Sequence, residues 1–302
     1  MGTSTGRHAF TVDVEDYYQV LNFQRRLPRA SWSEQQPRVD RNTRVILDLL
    51  DRHNIRATFF VLGCVAEEHP DLVREIARRG HEVGSHGQSH TPLTALSRRQ
   101  FLDEARQSRM VLQDLTGQPI QGFRAPSFSI FEATLWGLDG LLEAGYVYDS
   151  SVFPIRPPDY GIPSANPRIH FIETPQGGRI LEFPMTTVTW MGRSVPISGG
   201  GYFRLFPYSV TKWGWRRIES RGYPGVFYLH PWEVDPEQPN LRPYTSKLGA
   251  FRHYTGLRQT LPRLERLLTA HRFGTMASVL EQEGFDLSTA SASEPVGQPQ
   301  PK

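Results

Sequence analysis

The chain has 302 residues, 38% hydrophobic and 22% charged, with a net charge of +3 at pH 7. This length suits one large domain, or a domain with an appended segment, and the composition is that of a soluble globular protein. The basic excess is mild and its arginines are scattered in pairs such as Arg78-Arg79 and Arg216-Arg217, without a recognition motif, so no nucleic-acid partner is expected.

In chain order, Ala9-Phe10-Thr11-Val12-Asp13-Val14 reads as a buried strand closed by the acidic run Asp13-Val14-Glu15-Asp16. Before it, Met1 to His8 lacks the apolar core of a signal peptide. A helix is predicted over 42–52, with Val45, Ile46, Leu49 and Leu50 on one face. The run 57–62 is almost wholly apolar, the mark of a strand covered on both faces. Cys64, the single cysteine, excludes an internal disulfide and suits a reducing compartment, so a cytoplasmic protein is expected. Pro70 opens a helix that Gly80 stops, and 81–85 make a third strand. Ser97 and Gln100 form a capping box for a long helix ending near Gly117. Residues 121–124 lead into a strand end, followed by a helix over 132–144 and a strand over 146–149.

From 154 to 207 prolines recur, with short β-like pieces at 169–172 and 179–183, and a long excursion of loops and hairpins over a pocket is expected. Helix returns at 208–219, and a strand at 225–229 ends on His230. Helices near 256–268 and 275–282 follow, then a Ser-, Pro- and Gln-rich stretch. No run approaches the roughly 20 apolar residues that span a bilayer.

Strands alternating with amphipathic helices imply parallel βα units, and a closed or nearly closed α/β barrel suits this length. The expected division is a barrel over 1–250, a C-terminal helical extension over 251–287 packed on it, and a disordered tail over 288–302. Active sites in such folds lie at the C-terminal strand ends, where Asp13, His86, Arg124, Asp149 and His230 all fall.

His86 and His90 carry the chemistry most directly. Imidazoles four residues apart share one face of a helical turn and can reach one divalent ion, although such pairs also arise by chance in a chain with ten histidines. The acidic run would add an oxygen ligand and leave a second carboxylate as a base. Plainer readings stand beside these. Arg124 also fits a barrel-rim salt bridge, His230 a core histidine, and Asp149 a strand-end cap. Ser198-Gly199-Gly200-Gly201 lacks the Gly-Lys-Ser/Thr of a phosphate loop and reads as a loop bringing Tyr202, Phe203 and Arg204 to a sugar. Trp190, Trp213 and Trp232 fit sugar stacking or the core.

Five segments in order resemble the NodB-homology polysaccharide deacetylases, carbohydrate esterase family 4, over roughly residues 8–235: Thr11-Val12-Asp13-Val14-Glu15-Asp16, Ala57-Thr58-Phe59-Phe60, His86 with His90, Arg124-Ala125-Pro126, and Leu229-His230. Asp13-Val14-Glu15-Asp16-Tyr17-Tyr18, Ser198 to Arg204, His230-Pro231-Trp232-Glu233 and His253-Tyr254 resemble one subgroup, the cytoplasmic deacetylases of exosortase and exopolysaccharide loci. The resemblance implies a distorted (β/α) barrel of about seven parallel strands, a divalent metal of zinc type held by His86, His90 and a carboxylate, Asp13 as general base, Arg124 orienting it, and His230 as general acid. It further implies the Ser127 N–H as an oxyanion donor, Leu229 as a wall of the acetyl-methyl pocket, and Tyr202, Arg204 and Trp232 on the substrate side.

The departures leave two choices open. Asp-Val-Glu-Asp replaces the family's adjacent aspartates and glycine, so the third ligand is Glu15 or Asp16; Glu15, two residues from Asp13, shares its side of the strand and is favoured. The partner of His230 is Asp149 or Glu182. Arg-Ala-Pro-Ser also replaces Arg-Pro-Pro-aromatic. The expected function is metal-dependent removal of N-acetyl groups from a glycan in exopolysaccharide synthesis, on a precursor at the inner face of the membrane. A cyclic amide or ureide hydrolase of the same fold and a catalytically silent carbohydrate-binding protein are the alternatives.

Overall fold

The computed structural model describes residues 7–24, 26–156 and 161–288; of the expected tail, 289–302 lie outside them. The strands are β1 (His8–Val14), β2 (Thr58–Val61), β3 (Glu82–Ser85), β4 (Gly122–Phe123), β5 (Tyr148–Asp149), β6 (His170–Glu173), β7 (Arg179–Glu182), β8 (Thr187–Trp190), β9 (Arg193–Pro196), β10 (Val226–Leu229) and β11 (Phe273–Gly274). The helices are α1 (Leu21–Gln24), α2 (Val39–Arg52), α3 (Gly63–Glu68), α4 (Pro70–Arg78), α5 (Arg98–Thr116), α6 (Trp136–Glu143), α7 (Gly200–Leu205), α8 (Tyr208–Arg221), α9 (Lys247–Tyr254), α10 (Leu257–Ala270) and α11 (Met276–Gln282). The capping box at Ser97 and Gln100 opens α5 as expected, and Gly117, left-handed at φ 65°, closes it.

The main sheet runs β10-β1-β2-β3-β4-β5-β7-β6. Its first seven strands are parallel and β6 is antiparallel to β7, so the sheet is a curled half-barrel whose end strands do not meet. The proline-rich stretch is therefore more than loops over a pocket. Its piece at 179–182 is the last parallel strand, pairing Tyr148 with Leu181 and Asp149 with Glu182. The sequence marks this piece as β-like, but the five residues between Gly178 and Pro184 are too few to show a sheet period, which hid its place in the parallel sheet. The remainder of the stretch gives β6 at the expected piece near 169–172, the separate β8–β9 hairpin, in keeping with the expected hairpins, and α7, which was not anticipated.

Period-two alternation gives the sheet two apolar faces. Phe10, Val12, Val14, Phe59, Val61, Val83, Phe123, Phe227 and Leu229 join helical residues such as Ile46, Leu49, Leu72, Ile76, Leu112 and Leu264 in the outer core. Ala9, Phe60, Tyr148, Leu181, Val226 and Tyr228 form a second cluster inside the curve. Met276, Val279 and Leu280 of α11 belong to that inner cluster, and the Met276 and Ala277 N–H groups donate to Thr58 Oγ1 (2.7 Å) and Glu82 Oε2 (3.1 Å). The C-terminal segment is thus built into the barrel: β11 pairs with the start of β1 while α11 fills the interior at that end. Ser198 and Gly199 lie along the free edge of β10, where the Ser198 carbonyl accepts the Tyr228 N–H at 2.7 Å.

Two histidines of this scaffold are buried in their neutral form. His8 Nδ1 accepts the Gly225 N–H and His81 Nδ1 the Ala57 N–H, each at 3.1 Å. Burial lowers both pKa values from 6.5 to about 4. Between those limits the unfolded chain binds more protons than the folded one, so stability rises with pH across that window. Their own contribution, read as the pH dependence of urea unfolding free energy that His8→Asn with His81→Asn removes, should be level above pH 6.5 and fall towards pH 4 by about 1–3 kcal/mol per histidine. A double variant whose pH dependence matches the parent's between pH 7 and 4.5 would contradict this.

Candidate active site

The acidic run after β1 is sorted by a tight turn. Asp13 faces the inside of the sheet, and the Glu15 N–H donates to the Asp13 carbonyl at 3.0 Å, which keeps Glu15 beside it. Arg124, at the end of β4 and fully buried, reaches across: Nη1 donates to Asp13 Oδ1 and to Thr11 Oγ1, both at 2.7 Å. Its Nε and Nη2 donate to the carbonyl and hydroxyl of Ser150, both at 3.0 Å, and its guanidinium lies 4.3 Å from the Phe60 ring centre. Arg124 is therefore an interior clamp and not a rim salt bridge.

His86 and His90 follow β3, but on a loop and not on the helical turn expected from their spacing. Gly87 (φ 83°) and His90 (φ 56°) are left-handed and fold the loop back; its Gly87 and Gln88 carbonyls accept the first N–H groups of α3, Gly63 and Cys64, at 2.9 Å. The two rings stand 5.5 Å apart. His86 Nδ1 bonds the Arg124 carbonyl at 2.8 Å, which leaves Nε2 for the cluster. His90 Nδ1 contacts Gln24 at 3.1 Å, and its Nε2 lies 2.5 Å from Glu15 Oε2. Burial pushes the Glu15 carboxyl upwards, but the charges of His90 and His230 and the His90 hydrogen bond outweigh it and hold the group below the usual range.

Asp16 does not join them. Its carboxylate turns away to accept the N–H groups of Tyr17 (2.8 Å), Arg38 (2.6 Å) and Val39 (2.9 Å), and so caps the start of α2. Burial raises its pKa to about 6 against these hydrogen bonds. Of the two acidic candidates, only Glu15 stands with the histidines.

His230, just past β10, is the most open member of the group at 18% side-chain exposure. Its Nε2 lies 4.0 Å from Asp13 Oδ2 and 3.6 Å from Glu15 Oε1. Its partner is neither Asp149 nor Glu182 but Glu233, whose Oε1 lies 2.9 Å from Nδ1. Burial opposes protonation, yet Glu15, Glu233 and Asp13 raise His230 to about 9. Asp149 and Glu182 instead face each other across β5 and β7, fully buried. Burial raises Asp149 to about 6, and burial with the Asp149 charge holds Glu182 well above the carboxylate range. This pair braces the turn at 150–152: Ser151 Oγ donates to Asp149 (2.6 Å) and accepts the Ala125 N–H (2.7 Å), and the Val152 N–H donates to Glu182 (3.0 Å).

The residues expected on the substrate side divide. Arg204 and Trp232 are buried supports: Arg204 Nε donates to Glu233 Oε2 at 2.5 Å, and Trp232 Nε1 donates to Glu15 Oε1 at 3.2 Å. The Trp232 ring stacks between His230 and His253, with centres 5.2 and 4.3 Å away. Leu229 belongs to the outer core; the inward neighbour of His230 is Tyr228, two residues before it, with its ring 5.7 Å away. Tyr202 is half-buried on α7 with its ring 5.8 Å from Phe206. Ser127 and Phe128 are both left-handed (φ 56° and 53°), a strained turn beside Gly87, whose position lies against Pro126. Glu233 stands in the His230-Pro231-Trp232-Glu233 segment, but its pairing with His230 was not expected, although the signal was local: a carboxylate three residues after a histidine, with proline between, opens a short helical turn.

The cluster fits a divalent cation on its own chemistry. Glu15, His86 and His90 offer ligand atoms all within 4.8 Å of one another, two imidazoles and a carboxylate, the donor set of catalytic zinc. Arg124 spends its charge on Asp13, so a cation here would neutralise the second buried carboxylate, Glu15.

Residues 34–147 match the family described as polysaccharide deacetylase, and 150–281 match a domain of unknown function, DUF3473. Residues 34–147 thus form a polysaccharide deacetylase segment, followed directly by the DUF3473 segment. The chain is 37% identical over 90 residues to a peptidoglycan-N-acetylglucosamine deacetylase of Bacillus cereus, covering 30% of this chain and 33% of that one. It is 38% identical over 85 residues to a chitooligosaccharide deacetylase of Sinorhizobium fredii, covering 27% and 38%. The chain therefore spans about a third of the length of the curated relatives it matches. A crystal structure from Mycobacterium smegmatis, assigned to the polysaccharide deacetylases, superposes over 100% of this chain and 96% of that one, with a TM-score of 0.61 and 19% identity, which shows the shared fold.

The cap on α2 gives a stability test of the acidic run. Asp16→Ala strips three N–H groups of one acceptor and should lower unfolding free energy by about 2 kcal/mol in urea melts. A variant as stable as the parent would remove Asp16 from this structural role.

Proposed function

We propose that the protein is a metal-dependent N-deacetylase acting on an N-acetylated hexosamine polymer. One observation carries the reading: a buried aspartate fixed by an arginine lies beside both a two-histidine, one-carboxylate cluster and a histidine paired to its own glutamate. Glu15, His86 and His90 would hold the metal, which when bound supplies a Lewis acid of zinc type to the acetyl carbonyl and the attacking water. Asp13 accepts the proton of that water, because Arg124 occupies Oδ1 and leaves Oδ2 towards the site. His230, oriented by Glu233, delivers a proton to the departing amine. The Ser127 N–H, on the strained turn after Arg124, is the oxyanion donor of this scheme.

The substrate class rests on relatives named for peptidoglycan N-acetylglucosamine and for chitooligosaccharides. A place in exopolysaccharide synthesis on the cytoplasmic side is part of the proposal, supported by the paired DUF3473 segment and the single buried Cys64.

Metal analysis after dialysis against zinc, then acetate release from N-acetylglucosamine oligomers, tests the scheme. Glu15→Gln and His90→Ala should lose the bound metal, whereas Asp16→Asn should keep it. Asp13→Asn and His230→Ala should each cut turnover by about 100-fold or more, with metal retained in Asp13→Asn. Chelation should abolish activity and zinc should restore it. Acetate from no acetylated glycan, with turnover of a cyclic ureide, would overturn the substrate class; glycan binding without hydrolysis would make the protein a binding module.

A further inference from the structure

The β8–β9 hairpin stands outside the catalytic arrangement, and its tip is unlike a loop selected for solubility. Its two-residue turn, Met191-Gly192, has positive φ at both positions (48° and 75°), the geometry that favours Asn-Gly. A methionine there is conformationally costly, and it gains no burial, because Met191 is 83% exposed. Trp190, 59% exposed, precedes it and sits opposite the exposed Arg193.

The hairpin packs beside α8, where a side chain at Gly214 would come within 2.8 Å of Ile197, just past β9. The stripe of α8 next to that contact is Trp213, Arg217 and Arg221, at i, i+4 and i+8 and all exposed. The exposed charge of this region has one sign: in residues 183–218 Arg193, Lys212, Arg216 and Arg217 are exposed, Arg204 is buried against Glu233, and there is no Asp or Glu. Glu219, the next acid along, is turned inward to His271 at 2.8 Å.

We propose that this hairpin and stripe dock the protein on an anionic lipid surface, with Trp190 and Met191 entering the headgroup boundary and Arg193, Arg217 and Arg221 facing lipid phosphates. A tryptophan flanked by arginines suits that boundary, and an exposed methionine offers hydrocarbon contact but no hydrogen bond to a sugar hydroxyl. Neither the geometry nor the test depends on the deacetylase reading.

The test is co-sedimentation with phosphatidylcholine vesicles containing about one-third phosphatidylglycerol, against pure phosphatidylcholine. The full chain should pellet only with the anionic vesicles, and raised salt should release it. Arg217→Glu with Arg221→Glu should weaken binding at least about twentyfold, since each interfacial cation is worth about fivefold. Trp190→Ser with Met191→Ser should weaken it as well and remove a blue shift of tryptophan emission, with thermal melts unchanged in both. A chain that stays in the supernatant, or binding that neither double variant weakens, overturns the proposal. So does capture on soluble dextran sulfate without vesicle binding, or a tip-dependent dimer without vesicle binding.

Discussion

The buried contact between Arg124 and Asp13 sets the geometry of everything else in the site. Both side chains are almost fully removed from water (0% and 2% exposed), at a desolvation cost of several kcal/mol per ion. The contact survives because the guanidinium is nearly saturated: Asp13 and Thr11 on β1, Ser150 after β5, and the face of Phe60 on β2. One planar fork thereby cross-links the ends of β1, β4 and β5. The carboxylate it holds has one oxygen occupied and the other turned to His230, so its orientation is a property of the sheet and not of a loop.

A buried carboxyl pair, Asp149 and Glu182, follows an opposite electrostatic logic. Among the described residues no guanidinium hydrogen-bonds it, burial dominates, and both groups are pushed towards the protonated form. A neutral or proton-sharing pair can be buried there without a counter-ion, and it braces the serine turn that grips Arg124. Asp13 and the Asp149–Glu182 pair thus do different work because one has a cation and the other has only hydroxyl and amide donors.

Much of this was legible in the chain. Long apolar runs such as 57–62 betray parallel strands buried on both faces, and strand ends carrying Asp13, His86, Arg124 and His230 converge because parallel strands all point the same way. What stayed hidden depended on turns and long-range packing. Strand periodicity would put Asp13 and Glu15 on one side, and it says nothing of how Asp16 comes round to cap a helix that begins 23 residues later. The spacing of His86 and His90 suggested a helical turn, whereas two left-handed residues achieve the same approach. Arg204 and Trp232 looked like sugar contacts because charge and aromaticity suit sugars; only tertiary structure shows them packed against Glu233 and His253. Leu229 went wrong by one residue of register, since the side facing His230 belongs to Tyr228.

The two matched segments cannot be separate working parts. His86, His90 and Arg124 come from the polysaccharide deacetylase segment, His230, Glu233, Arg204 and His253 from the segment after it, and Asp13 and Glu15 from a strand that precedes both. They are joined by direct contacts. Trp232 donates to Glu15 while stacking on His230, so the orientation of the histidine and the position of the candidate ligand are fixed by one indole. Arg204 carries the same coupling outward, because it also donates to the His253 and Thr255 carbonyls at 2.9 and 2.7 Å. Removing α9 would therefore strip buried Arg204 of its His253 carbonyl acceptor and Trp232 of its second stacking face, loosening the hold on His230. The C-terminal segment thus supports the candidate site, which is why the barrel and its extension read as one unit of structure.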